Sequence, residues 1–205
     1  MSSEWAGYVL DHFVFTDYAP GTCVVDVGFG AGGNLRRLEG AGCKAIGVEY
    51  DPTLAAHGRM KGLRVLRAKA EQLPFRTASL DGLICKVVIP YTEEAQAIAE
   101  MARVLKPGAV AHLEFHGLGY SLKYLCAGEN WKFRVYGGRV IVNTVYYRLT
   151  GARLPGFIGD TLYQSRARLE RYYRREGLEL LADPPARGYL GAPVFIYHTV
   201  RRVAA

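Results

Sequence analysis

The sequence lacks the usual marks of a membrane or exported protein. Its 205 residues contain no hydrophobic run long enough to span a bilayer, and its first residues show no basic segment followed by an apolar one. Its four cysteines are widely spaced and form no Cys-x-x-Cys pair, which favours reduced thiols. We therefore expect a cytoplasmic protein with no membrane partner. Hydrophobic residues make up 50% of the chain, which excludes a disordered protein and fits a single domain over residues 1–205.

The chain also has a shortage of acidic residues. It carries 26 lysines and arginines against 19 acids, a formal charge of +7. Such a surplus can indicate nucleic-acid binding, but no recognised nucleic-acid module accompanies it, and much of it follows residue 120. We expect a solvated basic face or an anionic small substrate rather than a nucleic-acid partner.

The stretch from Val24 to Gly33 organises the sequence. Apolar β-forming residues surround one acid, and then glycines take over. Residues at helical spacing follow as far as Gly40. Glycines let the backbone approach a ligand, and the first turn of a helix offers free N–H groups. The pattern predicts a strand, a ligand-binding turn and a helix.

Two ligand classes fit this unit. Gly28, Gly30 and Gly33 have the Gly-x-Gly-x-x-Gly spacing of dinucleotide sites, and Glu49 is at the right distance to bind a ribose. Asp26 favours the other class, because a carboxylate there would repel a pyrophosphate and suits an ammonium or sulfonium group. A nucleotide-dependent oxidoreductase and a protein that binds a cationic ligand both remain open on this stretch alone.

Three segments carry a family resemblance. Residues 26–32, Asp-Val-Gly-Phe-Gly-Ala-Gly, resemble the first motif of the class I S-adenosylmethionine (SAM) methyltransferases. Ala70–Phe75 and Arg103–Gly108 resemble two further motifs of that family. The resemblance covers residues 20–116, and by pattern 164–202. It implies an α/β, Rossmann-like fold, with a seven-stranded mostly parallel sheet, an antiparallel C-terminal strand and helices on both faces.

The resemblance implies SAM as the cofactor and S-adenosylhomocysteine as its product. The residues expected to bind it lie at strand ends and in the loops that follow: Asp26, Gly28, Gly30, Gly32, Glu49, Tyr50, Ala70, Glu71 and Lys86. Glu49 is expected to accept both ribose hydroxyls. Lys69 stands where the family usually has an acid, so the Ala70 N–H and the Glu71 carboxylate are expected to serve the adenine. Lys86 is expected to offer its backbone carbonyl and to point its ammonium away from the sulfonium or towards an anionic substrate.

A catalytic base is needed only if the methyl acceptor must lose a proton. The candidates are polar residues of the loops and strand ends around the cofactor: Tyr91, Glu114, His116 and His12. His112, Glu114 and His116 alternate along one predicted strand and share a face. They could hold a metal ion, but no further ligand is evident and we expect no metal.

Two segments depart from the bare fold. Residues 1–20 are rich in aromatics and predict either a lid over the cofactor, with Tyr8, His12 or Tyr18 near the ligand, or a helix packed on the sheet. Residues 117–163 are rich in aromatic and basic residues. They predict a substrate cap inserted after the fifth strand, with a dimer surface as the alternative.

These features together predict an enzyme, a SAM-dependent methyltransferase of secondary metabolism. Its acceptor is expected to be a small apolar or aromatic molecule that can carry an anionic group for the arginines of the cap. We expect a monomer, or a homodimer formed through the cap. The alternatives are a SAM-binding protein without methyl transfer (a cyclase, regulator or scaffold), an RNA methyltransferase and a nucleotide-dependent oxidoreductase.

Overall fold

The structure, a computed structural model, describes residues 14–204. Its strands are β1 (Cys23–Val27), β2 (Lys44–Glu49), β3 (Val65–Arg67), β4 (Leu80–Lys86), β5 (Leu105–His116), β6 (Leu178–Ala182), β7 (Gly188–Tyr189), β8 (Ala192–Pro193) and β9 (Phe195–Arg202). Its α-helices are α1 (Gly33–Gly40), α2 (Pro52–Met60), α3 (Glu94–Val104), α4 (Leu118–Ala127), α5 (Trp131–Thr150) and α6 (Arg166–Glu176). Short 3₁₀ turns occur at Ile89–Tyr91 and Gly156–Ile158. Within residues 14–204, no helix combines the length and the apolar character needed to cross a bilayer.

One seven-stranded sheet forms the centre of the fold. Its strand order is β3-β2-β1-β4-β5-β9-β6. Strands β1 to β5 pair in parallel, whereas β9 runs antiparallel to both β5 and β6. The predicted fold class is therefore confirmed. The strand order reverses between β1 and β4, and open sheets of this kind bind ligands beyond the carboxyl ends of the strands at such a point.

The sheet has a hydrophobic core on each face. Val25 and Val27 of β1 contribute to the core that includes residues of α3 and α6. Val24, which points the other way, contributes to the core that includes residues of α1 and α2. Because both faces are covered, the central strands are nearly continuous apolar runs, as parallel strands usually are. This double layer fixes the strand ends on which the predicted site residues stand.

Residues 117–163, the predicted cap, contain helices α4 and α5 and a 3₁₀ turn. Helices α4 and α5 pack against each other, and residues 140–145, a pattern that fits either a strand or a helix, lie within α5. Gly137 allows the close helix contact, because a Cβ atom there would lie 2.4 Å from the Ser121 carbonyl oxygen. Asn130 caps the start of α5 through its side chain, which accepts two backbone N–H groups. The division of the chain into a lid, a core and this cap stays a prediction.

Candidate cofactor and acceptor site

The glycine loop between β1 and α1 adopts backbone angles that other residues rarely take. Gly28, Gly30 and Gly32 have φ values of +71°, +55° and +82°. A Cβ atom on Gly28 would lie only 2.1 Å from Cγ2 of Val88, so glycine is needed where the loop meets the segment after β4. The Gly28 N–H also donates to the Val48 carbonyl at 2.8 Å, which holds the loop against β2.

Asp26 is a buried carboxylate at the end of β1. Its side chain is 1% exposed, and neither carboxylate oxygen has a hydrogen-bond partner among the described residues. Burial raises the pKa of Asp26 from its ordinary value of 3.8 to about 7; the nearby side chains of Asn34 and Lys86 oppose the rise, and Glu49 adds to it. Buried polar groups normally have partners. An unpaired carboxylate at this place fits a ligand that brings its own positive charge.

Lys86 ends β4 and directs its ammonium group to neighbouring side chains. Its Nζ lies 3.6 Å from a carboxylate oxygen of Glu114 on β5 and 4.4 Å from the centroid of the Phe15 ring. Glu114 is itself buried, and that burial raises the pKa of its carboxyl group while Lys86 opposes the rise. The use of the Lys86 carbonyl by a cofactor stays a prediction.

Glu49, at the end of β2, already serves the backbone with one oxygen. Its Oε1 accepts the Asp51 N–H at 3.0 Å, so a ribose bound through both oxygens would have to share this acceptor. Tyr50 is exposed beside it, and the Nζ of Lys69 lies 5.2 Å from the centroid of the Tyr50 ring. The departure at Lys69 thus places a cation and an aromatic ring together on the adenine side of the predicted site.

The loop predicted to meet the adenine is tied to the start of α3. Ala70 is buried, and a carboxylate oxygen of Glu71 accepts the Glu93 N–H at 3.1 Å. The side chain of Gln96 donates to the Glu71 carbonyl at 3.3 Å. These contacts hold Glu71 in a defined position, and its role as an adenine ligand stays a prediction.

His116, at the end of β5, belongs to an aromatic cluster beneath the cap. Its ring stacks on Tyr120 of α4 with the centroids 3.6 Å apart. The Tyr91 ring lies edge-on to it at 6.3 Å. The Tyr91 hydroxyl is 3.5 Å from that of Tyr136 on α5. We call these four residues the aromatic wall; they join both cap helices to the ends of β4 and β5.

The candidate bases differ in what they can do with a proton. Burial lowers the pKa of His116 to about 3, so its imidazole is neutral near pH 7. Its Nδ1 has no hydrogen-bond partner within residues 14–204. A group with so low a pKa is a weak base but a good hydrogen-bond acceptor. Glu114 is engaged by Lys86, and Tyr91 is 51% exposed.

The predicted lid residues have different outcomes. Tyr8 and His12 lie outside the described residues. Tyr18 packs on the sheet, where its hydroxyl donates to the Leu83 carbonyl at 2.9 Å. Its ring comes within 2.2 Å of the place a Cβ of Gly82 would take. This position is the packing alternative that the sequence left open for Tyr18, and it explains why β4 needs a glycine.

The strand-borne histidines and acid are not gathered around a metal position. Within the part of the chain that the structure describes, no group of three or more His, Cys, Asp or Glu side chains could hold a metal ion. The Nδ1 of His112 lies 3.2 Å from the Thr199 hydroxyl, and its ring meets the edge of Tyr18. His112 thus belongs to the packing beneath the sheet.

Two cap arginines bind protein groups rather than facing an open site. Arg139 pairs with the carboxylate of Asp160 within the cap. Arg153 donates to the Thr92 carbonyl, and its Nε lies 3.7 Å from the Glu93 carboxylate. These contacts tie the cap to itself and to the segment after β4.

A buried ion pair between α3 and α6 was not predicted from the sequence. Glu94 and Arg168 are almost fully buried, with Arg168 Nε 3.0 Å from Glu94 Oε2. The Tyr172 hydroxyl donates to the same oxygen at 3.2 Å, and the Gln164 side chain donates to Oε1 at 2.5 Å. Glu94 and Arg168 are 74 positions apart in the chain, so no local sequence pattern indicates that they pair.

One known protein family matches the segment that forms the parallel part of the sheet. The profile of the family described as "Methyltransferase domain" matches residues 25–113, which run from β1 through β5. Residues 25–113 thus match the methyltransferase domain family, and solved SAM-dependent methyltransferases share the fold of the chain. SAM is the cofactor of this family. The unpaired Asp26 carboxylate fits the ammonium group of SAM. The glycines with positive φ have no side chain, so the backbone of the loop can come close to the cofactor.

One curated relative carries the name of a tRNA methyltransferase. "Probable tRNA methyltransferase 9B" of Mus musculus is 36% identical over 96 residues, which are 45% of this chain and 21% of the relative. The chain therefore spans about a fifth of that relative's length.

Two solved structures share the fold. A SAM-dependent methyltransferase from Mesorhizobium loti matches with a TM-score of 0.66 and 15% identity, over 90% of this chain and 92% of that one. A chain from the complex of the Haloferax volcanii Trm112 methyltransferase activator with a methyltransferase matches with a TM-score of 0.67 and 17% identity, over 92% and 86%. Identities this low establish the shared fold alone.

Proposed function

We propose that this protein transfers the methyl group of SAM to a small apolar or aromatic molecule bound beneath the cap. The observation that carries the proposal is the aromatic wall, in which His116 stacks on Tyr120 while Tyr91 meets Tyr136. His116 ends β5, which pairs with β4, and β4 in turn pairs with the glycine-loop strand β1. An acceptor with a flat apolar body would find stacking partners among the rings of the wall.

The protein's part in the reaction is mainly to position the reactants. SAM supplies a methyl group already activated by its sulfonium. Asp26 would bind the ammonium group of the cofactor, and Glu49 a ribose hydroxyl. Glu114 would hold the Lys86 ammonium on the β5 side of the site. Holding two reactants in the right geometry can account for many orders of magnitude in rate.

His116 would orient the acceptor through a hydrogen bond and would not act as a strong general base. Its neutral imidazole can accept a hydrogen bond from a hydroxyl or amine of the acceptor through the unpaired Nδ1. Tyr91, which is about half exposed, would border the entrance to the same space. Both residues thus act on the acceptor and leave cofactor binding unchanged.

An anionic group on the acceptor is not part of this proposal. The expectation rested on arginines of the cap. Arg139 and Arg153 are already paired with carboxylates of the protein. Arg134 and Arg148 are exposed on α5 and are not part of the aromatic wall. Recruiting Arg139 or Arg153 for a substrate would unpair the carboxylate that it now binds. An uncharged acceptor requires no such rearrangement.

RNA methylation is a second candidate function. The formal charge of +7 and the tRNA methyltransferase name of the mouse relative favour it. The aromatic wall favours the small molecule, because its stacked rings suit a flat apolar body.

The test is to incubate the protein with methyl-labelled SAM and two acceptor pools. One pool contains small aromatic alcohols and amines, and the other contains unfractionated tRNA. Label on a small molecule is expected, and His116→Ala is expected to reduce it at least about tenfold. Tyr91→Phe is expected to reduce it as well, and Tyr146→Phe, on the outer side of α5, is the matched control for that variant. Label on tRNA alone would replace the proposal with the RNA function. Binding of S-adenosylhomocysteine with no transfer to either pool would favour a SAM-binding protein without methyl transfer.

A further inference from the structure

The outward face of α5 is apolar along its whole length. The large apolar residues on this face fall on one side of the helix and are exposed: Trp131, Val135, Val142, Val145, Tyr146 and Leu149. The ends of the row are the most open, with Trp131 70% and Leu149 82% exposed. The opposite face, with Val140 and Thr144, is buried against the rest of the protein. We call the exposed row the α5 stripe.

Such a stripe is unusual for a helix packed on a protein. A surface helix normally turns apolar residues inward and polar residues to solvent. At a rise of 1.5 Å per residue, the span from Trp131 to Leu149 is about 27 Å. The exposed Phe157 extends the surface sideways, since the Arg139 guanidinium of α5 stacks on its ring at 3.9 Å. Large contiguous apolar patches on soluble domains mark binding surfaces.

The charges along α5 all have one sign. Its twenty residues include no aspartate or glutamate. Lys132, Arg134 and Arg148 are exposed and lie to either side of the stripe. The stripe is thus apolar in the middle and positive at the margins, which is the arrangement of helices that lie on membrane surfaces.

A second copy of the chain is a poor occupant for this surface. If two stripes packed antiparallel about their middle, Arg134 of one copy would lie near Arg148 of the other. A parallel arrangement would place each arginine beside its own counterpart. The helix offers no acid to offset either contact, and like charges at close range destabilise a pair.

We propose that the α5 stripe docks the protein on an anionic lipid surface, with the helix axis parallel to the membrane plane. The apolar side chains would enter the boundary between headgroups and acyl chains, and the flanking cations would meet lipid phosphates. Trp131 and Tyr146 have the amphipathic rings that favour this depth. The sequence-based expectation of no membrane partner considered only spanning segments, and a helix lying on a surface needs none. The proposal does not depend on methyl transfer.

The experiment is co-sedimentation of the full chain with vesicles of phosphatidylcholine, with and without phosphatidylglycerol. We expect binding to the mixed vesicles that weakens as salt is added. The double variant Val142→Asn/Leu149→Gln is expected to weaken binding about tenfold or more, and Arg134→Gln/Arg148→Gln by a similar factor. Met60→Gln, at an exposed apolar residue of α2, is the matched control and keeps full binding.

Tryptophan fluorescence gives an independent readout. The chain has two tryptophans, so a Trp5→Phe variant reports on Trp131 alone, and its emission is expected to shift to the blue on mixed vesicles. Absence of binding would overturn the proposal, as would binding that survives Val142→Asn/Leu149→Gln, since charge alone would then explain it. A dimer in sedimentation velocity that this variant dissolves would assign the stripe to a second copy. Saturable binding to an acidic protein with none to vesicles would assign it to a protein partner.

Discussion

The raised pKa of Asp26 makes cofactor binding depend on pH. In the free protein, burial moves this pKa from 3.8 to about 7, against the opposing influence of Asn34 and Lys86 and with a small addition from Glu49. A cationic ligand group at hydrogen-bonding distance lowers a carboxyl pKa by about one to three. Binding of S-adenosylhomocysteine, which keeps the ammonium group, is therefore expected to drive a proton off Asp26 below pH 7.

The magnitude follows from these two values. Because the ionised carboxylate is the form that attracts the ammonium, affinity is expected to rise about tenfold from pH 6 to pH 8 and to level off above it. An amide resembles the protonated carboxyl, so Asp26→Asn is expected to bind about 10- to 1000-fold more weakly at pH 8. Its affinity is also expected to lose the rise through pH 7.

Isothermal titration calorimetry measures both effects. Titrations at pH 6 in two buffers of different ionisation enthalpy give the number of protons released, which is expected to be a large fraction of one for the natural protein and near zero for Asp26→Asn. Glu49→Gln is the control: it is expected to weaken binding at every pH while keeping the rise. A flat pH profile for the natural protein, or the same profile for Asp26→Asn, would refute the role given to Asp26.

Three further outcomes are expected in urea unfolding and ligand titration. Above its raised pKa, the buried Asp26 carboxyl is ionised and destabilises the folded state. Asp26→Asn is therefore expected to raise the free energy of unfolding by up to about 4 kcal/mol at pH 8 and not at pH 4. Equal stability of the two proteins at pH 8 would contradict this. Gly28→Ala is expected to cost more than about 1 kcal/mol because of its positive φ and to weaken S-adenosylhomocysteine binding; unchanged affinity would show that the loop tolerates a side chain. Glu94→Gln is expected to cost about 3–5 kcal/mol by leaving the Arg168 charge buried and unpaired. Glu170→Gln, at the exposed pair with Arg166, is expected to cost far less; equal losses would mean that burial does not matter there.

The fold was predictable because its signals are local. One short unit contains the strand with Asp26, the glycines after it and the following helix. The structure shows this unit as β1, the glycine loop and α1. The alternation of His112, Glu114 and His116 also held, since these residues share one face of β5. Period and turn chemistry are fixed by neighbouring residues, so a sequence can reveal them.

The partners within the site were not predictable, because they join distant parts of the chain. Arg139 and Arg153 looked available to a substrate, and only the folded cap places them against Asp160 and Glu93. The pairing of Lys86 with Glu114 likewise depends on β4 and β5 lying side by side. Composition counts charges and cannot tell which of them are already neutralised.

The helical cap shows a second limit of sequence reasoning. The pattern of residues 140–145 fits either a strand or a helix and does not indicate which of their side chains are buried. The structure assigns Val140 and Thr144 to the inner side and Val142 and Leu149 to the outer side. The surface on which vesicle binding is proposed could only be recognised after that assignment.

The most direct test of the cofactor assignment is equilibrium titration of the full chain at pH 8 with S-adenosylhomocysteine and, separately, with NAD. Saturable binding of S-adenosylhomocysteine at about micromolar affinity or tighter, with none of NAD, is the predicted result. Binding of NAD alone, or of neither ligand by a folded sample, would contradict the reading of Asp26 and the glycine loop as a SAM site.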